Sequence, residues 1–357
     1  MIDLIRLRSH NQGLTRPMHP RPEKIVARLG AVQAQDYAGA KWALGLRHQG
    51  LTDVDVERAF TDGAILRTHV LRPTWHFVCP ADIRWMLALT APRVKALSAP
   101  YYRKLELDHR IFSRSQRALE RALGGSRQLT RTELSAVLKR AGIAATGMRL
   151  AYLMMHAELD QVICSGPRRG LQFTYMLLEE RAPRARRLVG DEALAELTLR
   201  YFSSHGPATI RDFAWWSGLT TRDAKRGLEI LTPALTCETL HERVCWYVAS
   251  SLTSAPRLRT AWLLPNYDEY VIAYKDRDPV VNRPDAGRSV SVGDVFPHHL
   301  VVDGRLAGSW MRTVRKDSVV VGVAPYRRLT ASTVQALDAA VERHGRFMNR
   351  KAQLTRR

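Results

Sequence analysis

Residues 130–176, TRTELSAVLKRAGIAATGMRLAYLMMHAELDQVICSGPRRGLQFTYM, form the stretch that decides the fold. Thr130 opens a Thr-x-x-Glu capping signal, and the apolar residues that follow recur at helical spacing. After a short break with a glycine, the same spacing returns. We therefore predict two helices, over residues 130–142 and 147–159.

The pattern changes after the second helix. Residues 161–165 and 171–176 have the short period of strands, and Gly-Pro-Arg-Arg-Gly at 166–170 predicts a turn between them. Two helices followed by a hairpin with a basic tip are typical of a winged helix. This relative of the helix-turn-helix uses its hairpin to touch DNA.

The same order of elements occurs at two further places in the chain. Both copies consist of predicted helices followed by two predicted strands, at 22–35, 52–60, 64–69 and 74–78 in the first copy and at 207–218, 221–231, 234–239 and 243–248 in the last. The tip of the last copy, Leu240 to Glu242, is not basic. That hairpin therefore suggests a structural role.

After the third copy the sequence becomes rich in strands. Asp303-Gly304 indicates a two-residue hairpin, and a closing helix is predicted over 330–347. Residues 276–288 have the composition of an exposed loop, and we expect the basic tail 350–357 to be frayed. The predicted strands are 259–264, 271–274, 289–292, 300–302, 305–310 and 318–323.

The fold class that follows is mixed α/β, more closely α+β: three tandem winged-helix units forming a concave basic cradle, with a β-rich C-terminal appendage. The predicted units are 1–110, which includes linking helices, then 111–187, then 188–357 with the β-rich extension and the closing helix. Three such units can line a cradle without two-fold symmetry. This favours an asymmetric DNA target, such as a lesion, over a palindromic operator.

The charge of the chain points to a polyanionic partner. Its 357 residues contain 55 Lys and Arg against 34 Asp and Glu, a formal net charge of +21. We expect nucleic acid as that partner. An arginine-rich surface that reflects genomic base composition is the alternative, because only 9 of the 55 basic residues are lysine.

Several classes of protein are disfavoured by what the sequence lacks. It contains no H-E-x-x-H, no G-x-x-x-x-G-K, no G-x-S-x-G and no dinucleotide fingerprint. The first ten residues lack the apolar core of a secretory signal, and no apolar run has membrane-spanning length. We expect a cytoplasmic protein of the bacterial nucleoid, without a membrane partner and monomeric.

The segment Gln33-Ala34-Gln35 is the strongest candidate for chemistry. It ends the first predicted helix of the first unit. In a regular helix the two glutamine side chains would point roughly 200° apart. Both can meet one deoxyribose only if the chain leaves helical geometry there or the helix ends. A purely structural role, capping a helix or bonding a neighbouring loop, is the alternative.

In this setting the sequence resembles the AlkZ-type DNA glycosylases, which have a glutamine–aliphatic–glutamine motif. The resemblance covers nearly the whole chain and extends through 67–78, 201–209 and 263–270. It implies three tandem winged helices and monofunctional excision of bulky alkylated purines, without lyase activity, including the unhooking of interstrand crosslinks. A sister group has glutamine–x–aspartate, and the glutamine form points to self-resistance against DNA-alkylating natural products.

Carried over to this chain, the resemblance implies that Gln33 and Gln35 are the catalytic pair, with no cofactor and no metal. An N7-alkylguanine is already cationic and leaves as a neutral base, so no general acid is needed. Carboxamide oxygens would place the water and stabilise positive charge growing on the sugar. Asp36 is the rival candidate for a general base.

We expect double-stranded DNA, carrying alkylated purines or interstrand crosslinks, to be held by basic side chains near the motif and on the second hairpin. The candidates are Arg67, His69, Arg72, Lys41, Arg168 and Arg169. Two other functions stay open at this point: a non-catalytic winged-helix DNA-binding protein or transcriptional regulator, and a protein that sequesters a drug or its adduct without cleaving a bond.

Overall fold

A computed structural model gives the architecture of the chain. The structure describes residues 3–16, 18–240, 242–249, 260–281 and 298–356. Helices and strands are mixed along the whole of this part, as predicted, and a short helix α1 (Leu4–Asn11) precedes the first repeated unit.

The first unit has the order helix, strand, helix, helix, strand, strand. Its strands form an antiparallel sheet in the order β1-β3-β2. The elements are α2 (Pro22–Leu29), β1 (Val32–Gln33), α3 (Tyr37–Gly45), α4 (Asp53–Thr61), β2 (Leu66–Val70) and β3 (Thr74–Val78).

The predicted helix over 22–35 is wrong after its second turn. It ends at Leu29, because Gly30 takes a positive φ of 83° that a glycine reaches without strain. The chain then runs as β1 along β3, with Val32 opposite Phe77 and Gln33 opposite His76. The motif therefore lies on a strand rather than at the end of a helix.

The second unit repeats this order, and its predicted helices are confirmed. The Thr130 hydroxyl and the Glu133 carboxylate form the expected capping box. Two helices follow the first unit, and the second of them opens this unit. The elements are α5 (Ile83–Lys104), α6 (His109–Leu123), β4 (Leu129–Thr130), α7 (Arg131–Arg140), α8 (Gly147–Leu159), β5 (Ile163–Ser165), β6 (Thr174–Leu177) and α9 (Leu178–Arg181).

The third unit has the same plan with a shorter first strand. Ala208 forms a single bridge with Trp246 of the last strand, in the place that β1 and β4 occupy in the other units. The elements are α10 (Gly190–Ser204), α11 (Ile210–Ser217), α12 (Thr221–Leu231), a 3-10 turn (Thr232–Ala234), β7 (Thr236–Leu240) and β8 (Arg243–Tyr247). All three units thus share one topology.

A five-stranded sheet in the order β13-β12-β11-β10-β9 follows the third unit. The predicted turn at Asp303-Gly304 is confirmed, since both residues have positive φ and join two paired strands. The elements are β9 (Ala261–Leu264), α13 (Glu269–Ile272), β10 (His298–Val302), β11 (Arg305–Val314), β12 (Ser318–Pro325), α14 (Ala331–Met348) and β13 (Lys351–Arg356).

Two predictions for this region are wrong. Residues 271–274 were predicted as a strand, but the first two belong to the short helix α13, which Asp268 caps, and the other two follow its end. The tail predicted to be frayed contains β13, which pairs in parallel with β12. The predicted strand at 289–292 and residues 282–288 of the predicted loop lie outside the described residues.

The hydrophobic cores connect the units unequally. The first unit shares one core with the C-terminal sheet and α14, and the Trp42 indole N–H donates to the carbonyl oxygen of Leu263 at 2.6 Å. The second unit has a core of its own, from Tyr102 to Tyr175. The third unit shares its core with α5 and the β2–β3 hairpin. The predicted boundaries 1–110, 111–187 and 188–357 stay predictions.

Candidate active site

The glutamine segment, Gln33 to Gln35, leaves the edge of the first sheet. Gln33 is the last residue of β1, and Gln35 lies in a bend. The Ala34 N–H donates to the carbonyl oxygen of Trp75 at 2.7 Å, so pairing continues one residue beyond β1. The chain has therefore left helical geometry at the motif, which is the condition for both side chains to meet one sugar.

Both glutamine side chains contact the same hairpin turn. The Oε1 atom of Gln33 accepts a hydrogen bond from Nη2 of Arg72 at 3.1 Å, and Oε1 of Gln35 accepts one from the backbone N–H of Trp75 at 3.3 Å. Gln33 is 7% exposed, whereas Gln35 is exposed. One carboxamide is thus held within the protein and the other reaches solvent beside it.

A buried carboxylate holds the backbone of the motif from the third unit's side. The Oε1 atom of Glu269 accepts from the N–H of Gln33 at 2.9 Å, and its Oε2 accepts from Nε1 of Trp216 at 2.9 Å. The Nε2 atom of His205 lies 3.5 Å away. Burial alone would raise the pKa of Glu269, but His205 and the Gln33 N–H outweigh it and lower the pKa.

Asp36, the rival candidate for a general base, caps a helix. Its side chain accepts from the Gly39 N–H at 3.1 Å at the start of α3. This contact engages its carboxylate with a helix terminus, where a negative charge is favoured.

Arg67 lies under the motif. Its Nε donates to the carbonyl oxygen of Ala34 at 3.0 Å, and its guanidinium carbon lies 4.3 Å from the centroid of Trp75 and 4.4 Å from that of Phe173. Burial lowers the pKa of Arg67 to about 10. In this position Arg67 fixes the backbone between the two glutamines.

His69 and Lys41 are also buried with acidic partners. The Nδ1 atom of His69 contacts Glu158, and its ring lies 4.3 Å from that of Trp75. The ammonium of Lys41 lies 2.9 Å from a carboxylate oxygen of Asp53 and 2.7 Å from one of Glu57. Both side chains therefore have acidic partners within the first two units.

The two arginines of the second hairpin differ in exposure. Nη1 of Arg168 lies 3.5 Å from Glu57, and its side chain is largely covered. Arg169 is 54% exposed and pairs with Glu133 at 2.8 Å. Of the predicted residues, the structure brings Gln33, Gln35, Arg67 and Arg72 together at one turn. Their roles in catalysis and DNA binding stay predictions.

Two further residues lie at this place. Within the described residues Glu269 has no arginine partner, whereas its neighbour Asp268 pairs with Arg47 at 2.9 and 3.0 Å. Trp216 continues the buried face of α11 from Phe213, but 40% of Trp215 is exposed.

Neither a metal-binding cluster nor a membrane-spanning helix occurs among the described residues. Within the described residues no three His, Cys, Asp or Glu side chains are grouped so that they could hold a metal ion. Among the helices of that same part, each is too short or too polar to cross a membrane.

Comparison with known proteins gives consistent matches over nearly the full length. The chain is 26% identical over 351 residues to an interstrand DNA cross-link repair glycosylase of Streptomyces sahachiroi, covering 94% of each protein. Its fold resembles the solved structure of the DNA glycosylase AlkZ of the same organism, with a TM-score of 0.81, 22% identity and coverage of 99% and 98%. The model of the AlkZ-like DNA glycosylase family matches residues 26–347. The chain therefore belongs to the AlkZ-like family of DNA glycosylases.

Proposed function

We propose that this glycosylase hydrolyses the N-glycosidic bond of bulky cationic N7-alkylpurines in double-stranded DNA and unhooks interstrand crosslinks, with Gln33 and Gln35 as catalytic residues. The observation that supports this most directly is that both carboxamide oxygens accept hydrogen bonds from the same β2–β3 hairpin, Gln33 from Arg72 in its turn and Gln35 from Trp75 in β3. The cross-link repair function named for the relative from Streptomyces sahachiroi supports the substrate class.

The proposed reaction requires little from the protein in the way of proton transfer. The electron pair of the bond between C1′ and N9 moves to the cationic purine, which departs as a neutral base. The oxygen of a water molecule bonds to C1′, and its proton is released to solvent. The two carboxamide oxygens orient that water and stabilise the cationic sugar, through dipoles already in place before the bond breaks.

We propose that the two glutamines divide this work. Gln33 is fixed at three points, by Glu269 at its N–H, by Arg72 at its side chain and by pairing with His76. Such a fixed dipole suits stabilisation of the sugar cation. Gln35 is exposed and suits contact with the incoming water. The role proposed for Gln33 rests on its fixed position, and the role proposed for Gln35 rests on its exposure.

We also propose that the DNA lies along the positively charged surface implied by the net charge of +21, with Arg72 and Arg169 among its phosphate contacts. The chain is taken to act as a monomer on bacterial DNA in the cytoplasm. A role in self-resistance to a DNA-alkylating natural product fits excision of bulky adducts.

The test is excision from duplexes that carry one N7-alkylguanine or one N7-linked crosslink, followed by alkaline cleavage at the abasic site. We expect strand scission above spontaneous depurination with the wild type. Gln33→Ala and Gln35→Ala should each lower the single-turnover rate by about 10²-fold, the cost of removing one preorganised dipole. Gln49→Ala, an exposed glutamine before α4, is the matched control and should be unchanged.

Rates of both variants equal to that of Gln49→Ala would refute the assignment of the catalytic pair. Wild-type activity on small methylated purines alone, with none on bulky or crosslinked adducts, would refute the proposed substrate class.

A further inference from the structure

Two arginines from distant parts of the chain lie over one indole beside the motif. The guanidinium carbon of Arg72, in the β2–β3 turn, is 5.4 Å from the ring centroid of Trp215 on α11. That of Arg277, after α13, is 5.8 Å from the same centroid. The indole N–H of Trp215 donates to the carbonyl oxygen of Ile272 at 3.0 Å, which fixes the ring. The first and third units meet here.

The positive charge at this place is not neutralised within the described part of the chain. There, neither Arg72 nor Arg277 has a carboxylate within salt-bridge distance, in contrast to Lys41 and Arg168 nearby. Buried Glu269 does act on Arg72 through space, but its oxygens accept from Gln33 and Trp216.

Donor groups of both guanidiniums also remain available. The only side-chain hydrogen bond of Arg72 within the described residues is the one from Nη2 to Gln33, and its buried Nε has no partner there. Nε of Arg277 donates to the carbonyl oxygen of Val271 at 3.2 Å. Burial lowers the pKa of Arg72, Glu269 opposes this, and Arg277 adds to it. Two adjacent cations that lack an anion are an unfavourable arrangement in the free protein.

We propose that Arg72, Arg277 and Trp215 form a clamp for one DNA phosphodiester next to the damaged nucleotide, a proposal that rests on the proposed function. An arginine fork matches the oxygens of a phosphate. The indole holds the two guanidiniums through cation–π contact. Since both already lie over the ring, the indole is not free to stack on a base, so the ligand is the backbone anion.

The clamp connects DNA position to the motif. The guanidinium that would grip the phosphate also donates to Oε1 of Gln33. A deoxyribose is covalently joined to its own phosphates, so holding one of them beside Arg72 fixes where the sugar lies relative to the carboxamide. Arg72 and Arg277 are therefore positioning residues, and the phosphate they hold should be a specific one.

The test replaces single phosphates in a duplex that carries one bulky N7-alkylguanine. A neutral methylphosphonate is placed on either the 5′ or the 3′ side of the lesion, and single-turnover excision is measured for wild type, Arg277→Gln and Arg72→Gln. We expect one of the two positions to slow the wild type by roughly 10- to 100-fold, as for hydrogen bonds to a charged group. Arg277→Gln should be slowed to a similar extent on the normal duplex.

The decisive result is the combination of the two changes. The methylphosphonate should cause no further loss in Arg277→Gln, because the partner of that phosphate is already absent. Arg346→Gln, an exposed arginine on α14, is the matched control and should keep the sensitivity of the wild type. Equilibrium binding of the same duplexes, measured by fluorescence anisotropy, gives the same comparison without catalysis.

Equal losses from the methylphosphonate in wild type and Arg277→Gln would overturn the clamp. If neither phosphate matters to the wild type while Gln33→Ala still abolishes excision, the clamp is wrong and the proposed function stands. If the binding comparison shows the expected dependence but no duplex is ever cleaved, the clamp stands and the proposed function is wrong.

Discussion

At the scale of single residues, the candidate active site depends on a carboxylate buried behind it. Glu269 is 1% exposed and accepts one N–H from Gln33 and one from Trp216. An ionised carboxylate has an oxygen for each of these donors. It therefore satisfies two buried N–H groups and fixes the backbone of the motif at Gln33. These contacts favour the ionised form of the carboxylate.

Glu269→Gln should destabilise the protein and slow excision. A carboxamide has a single acceptor oxygen, so one of the two buried N–H groups would face an NH₂. We expect a loss of about 1–3 kcal/mol in the free energy of unfolding, measured by urea denaturation, and slower single-turnover excision. Glu342→Gln, an exposed carboxylate on α14, should change neither. A variant as stable and active as the wild type would contradict the role of Glu269.

Three buried histidines make the protein sensitive to acid. Burial lowers the pKa of His344 to about 3 and the pKa values of His76 and His299 to about 4, from the ordinary 6.5. Between pH 6.5 and these values the unfolded chain binds protons that the folded chain does not. The free energy of unfolding should therefore fall as the pH falls, by about 1.4 kcal/mol per pH unit for each histidine.

His344→Leu should remove one third of this effect. Neither ring nitrogen of His344 has a partner within the described residues, and the ring packs against Trp42 and Trp310. Urea denaturation at pH 7, 6 and 5 should show a shallower decline for the variant, by about 1.4 kcal/mol per pH unit below pH 6. Identical declines for variant and wild type would show that His344 does not stay neutral.

At the scale of elements, a glycine lets α11 reach the hairpin that carries Arg72. Gly218 ends α11 with a φ of 71°, and an added Cβ would lie 2.3 Å from the carbonyl oxygen of Leu71. Gly125 has a similar φ of 79°, but an added Cβ would meet nothing within 4 Å. Substitutions at these two glycines therefore separate the free-energy cost of the left-handed backbone from the cost of the close contact with Leu71.

Gly218→Ala should be more harmful than Gly125→Ala. Both pay for a left-handed conformation, about 1–2 kcal/mol, but only the first must also move Leu71 and with it Arg72. We expect a larger loss of stability in thermal denaturation and reduced excision for Gly218→Ala. Gly125→Ala should keep full activity. Equal effects of the two substitutions would show that the contact with Leu71 tolerates movement.

The sequence predicted those elements whose signals are local. The helices α8 and α12 begin and end where apolar spacing places them. The strands β1 and β13 and the helix α13 were not predicted, because they exist through pairing or packing with distant segments. Ala352 and Leu354 of β13 do alternate with polar residues, yet the basic charges around them suggested a frayed tail.

At the candidate site, too, local features could be predicted from the sequence and distant contacts could not. The glutamine motif and the need for non-helical geometry were evident from the sequence and from helix geometry. Its partners were not, since Glu269 lies 236 positions from Gln33 and no spacing rule connects them. The burial of Arg67, His69 and Lys41 was missed for a similar reason: their partners come from several elements, and a basic side chain in a sequence does not show whether an acid covers it.

At the scale of the whole molecule, the units differ in how far they depend on each other. The core of the first unit includes residues of the C-terminal sheet and α14, such as Leu263 and Phe347. The second unit has a core of its own, which includes Tyr102 and Leu107, while Met155, Leu159 and Leu178 of this unit belong to the core of the third. A unit with its own core can fold alone, whereas one that borrows half of its core cannot.

Fragments should therefore behave differently. A fragment of residues 98–187, which extends the predicted second unit to include Tyr102 and Leu107, should melt cooperatively in circular dichroism. A fragment of residues 1–110 should show no cooperative transition, because it lacks the C-terminal half of its core. Cooperative melting of both fragments would show that the first unit needs no help from the C-terminal sheet.

The hydrogen bond between Gln33 and Glu269 has a consequence for synthesis. A growing chain exposes the motif early, but the carboxylate that holds the Gln33 N–H leaves the ribosome only after some three quarters of the protein has been made. Until then this contact cannot form. An unfinished polypeptide that already carries the motif therefore lacks one of the contacts that shape the candidate site.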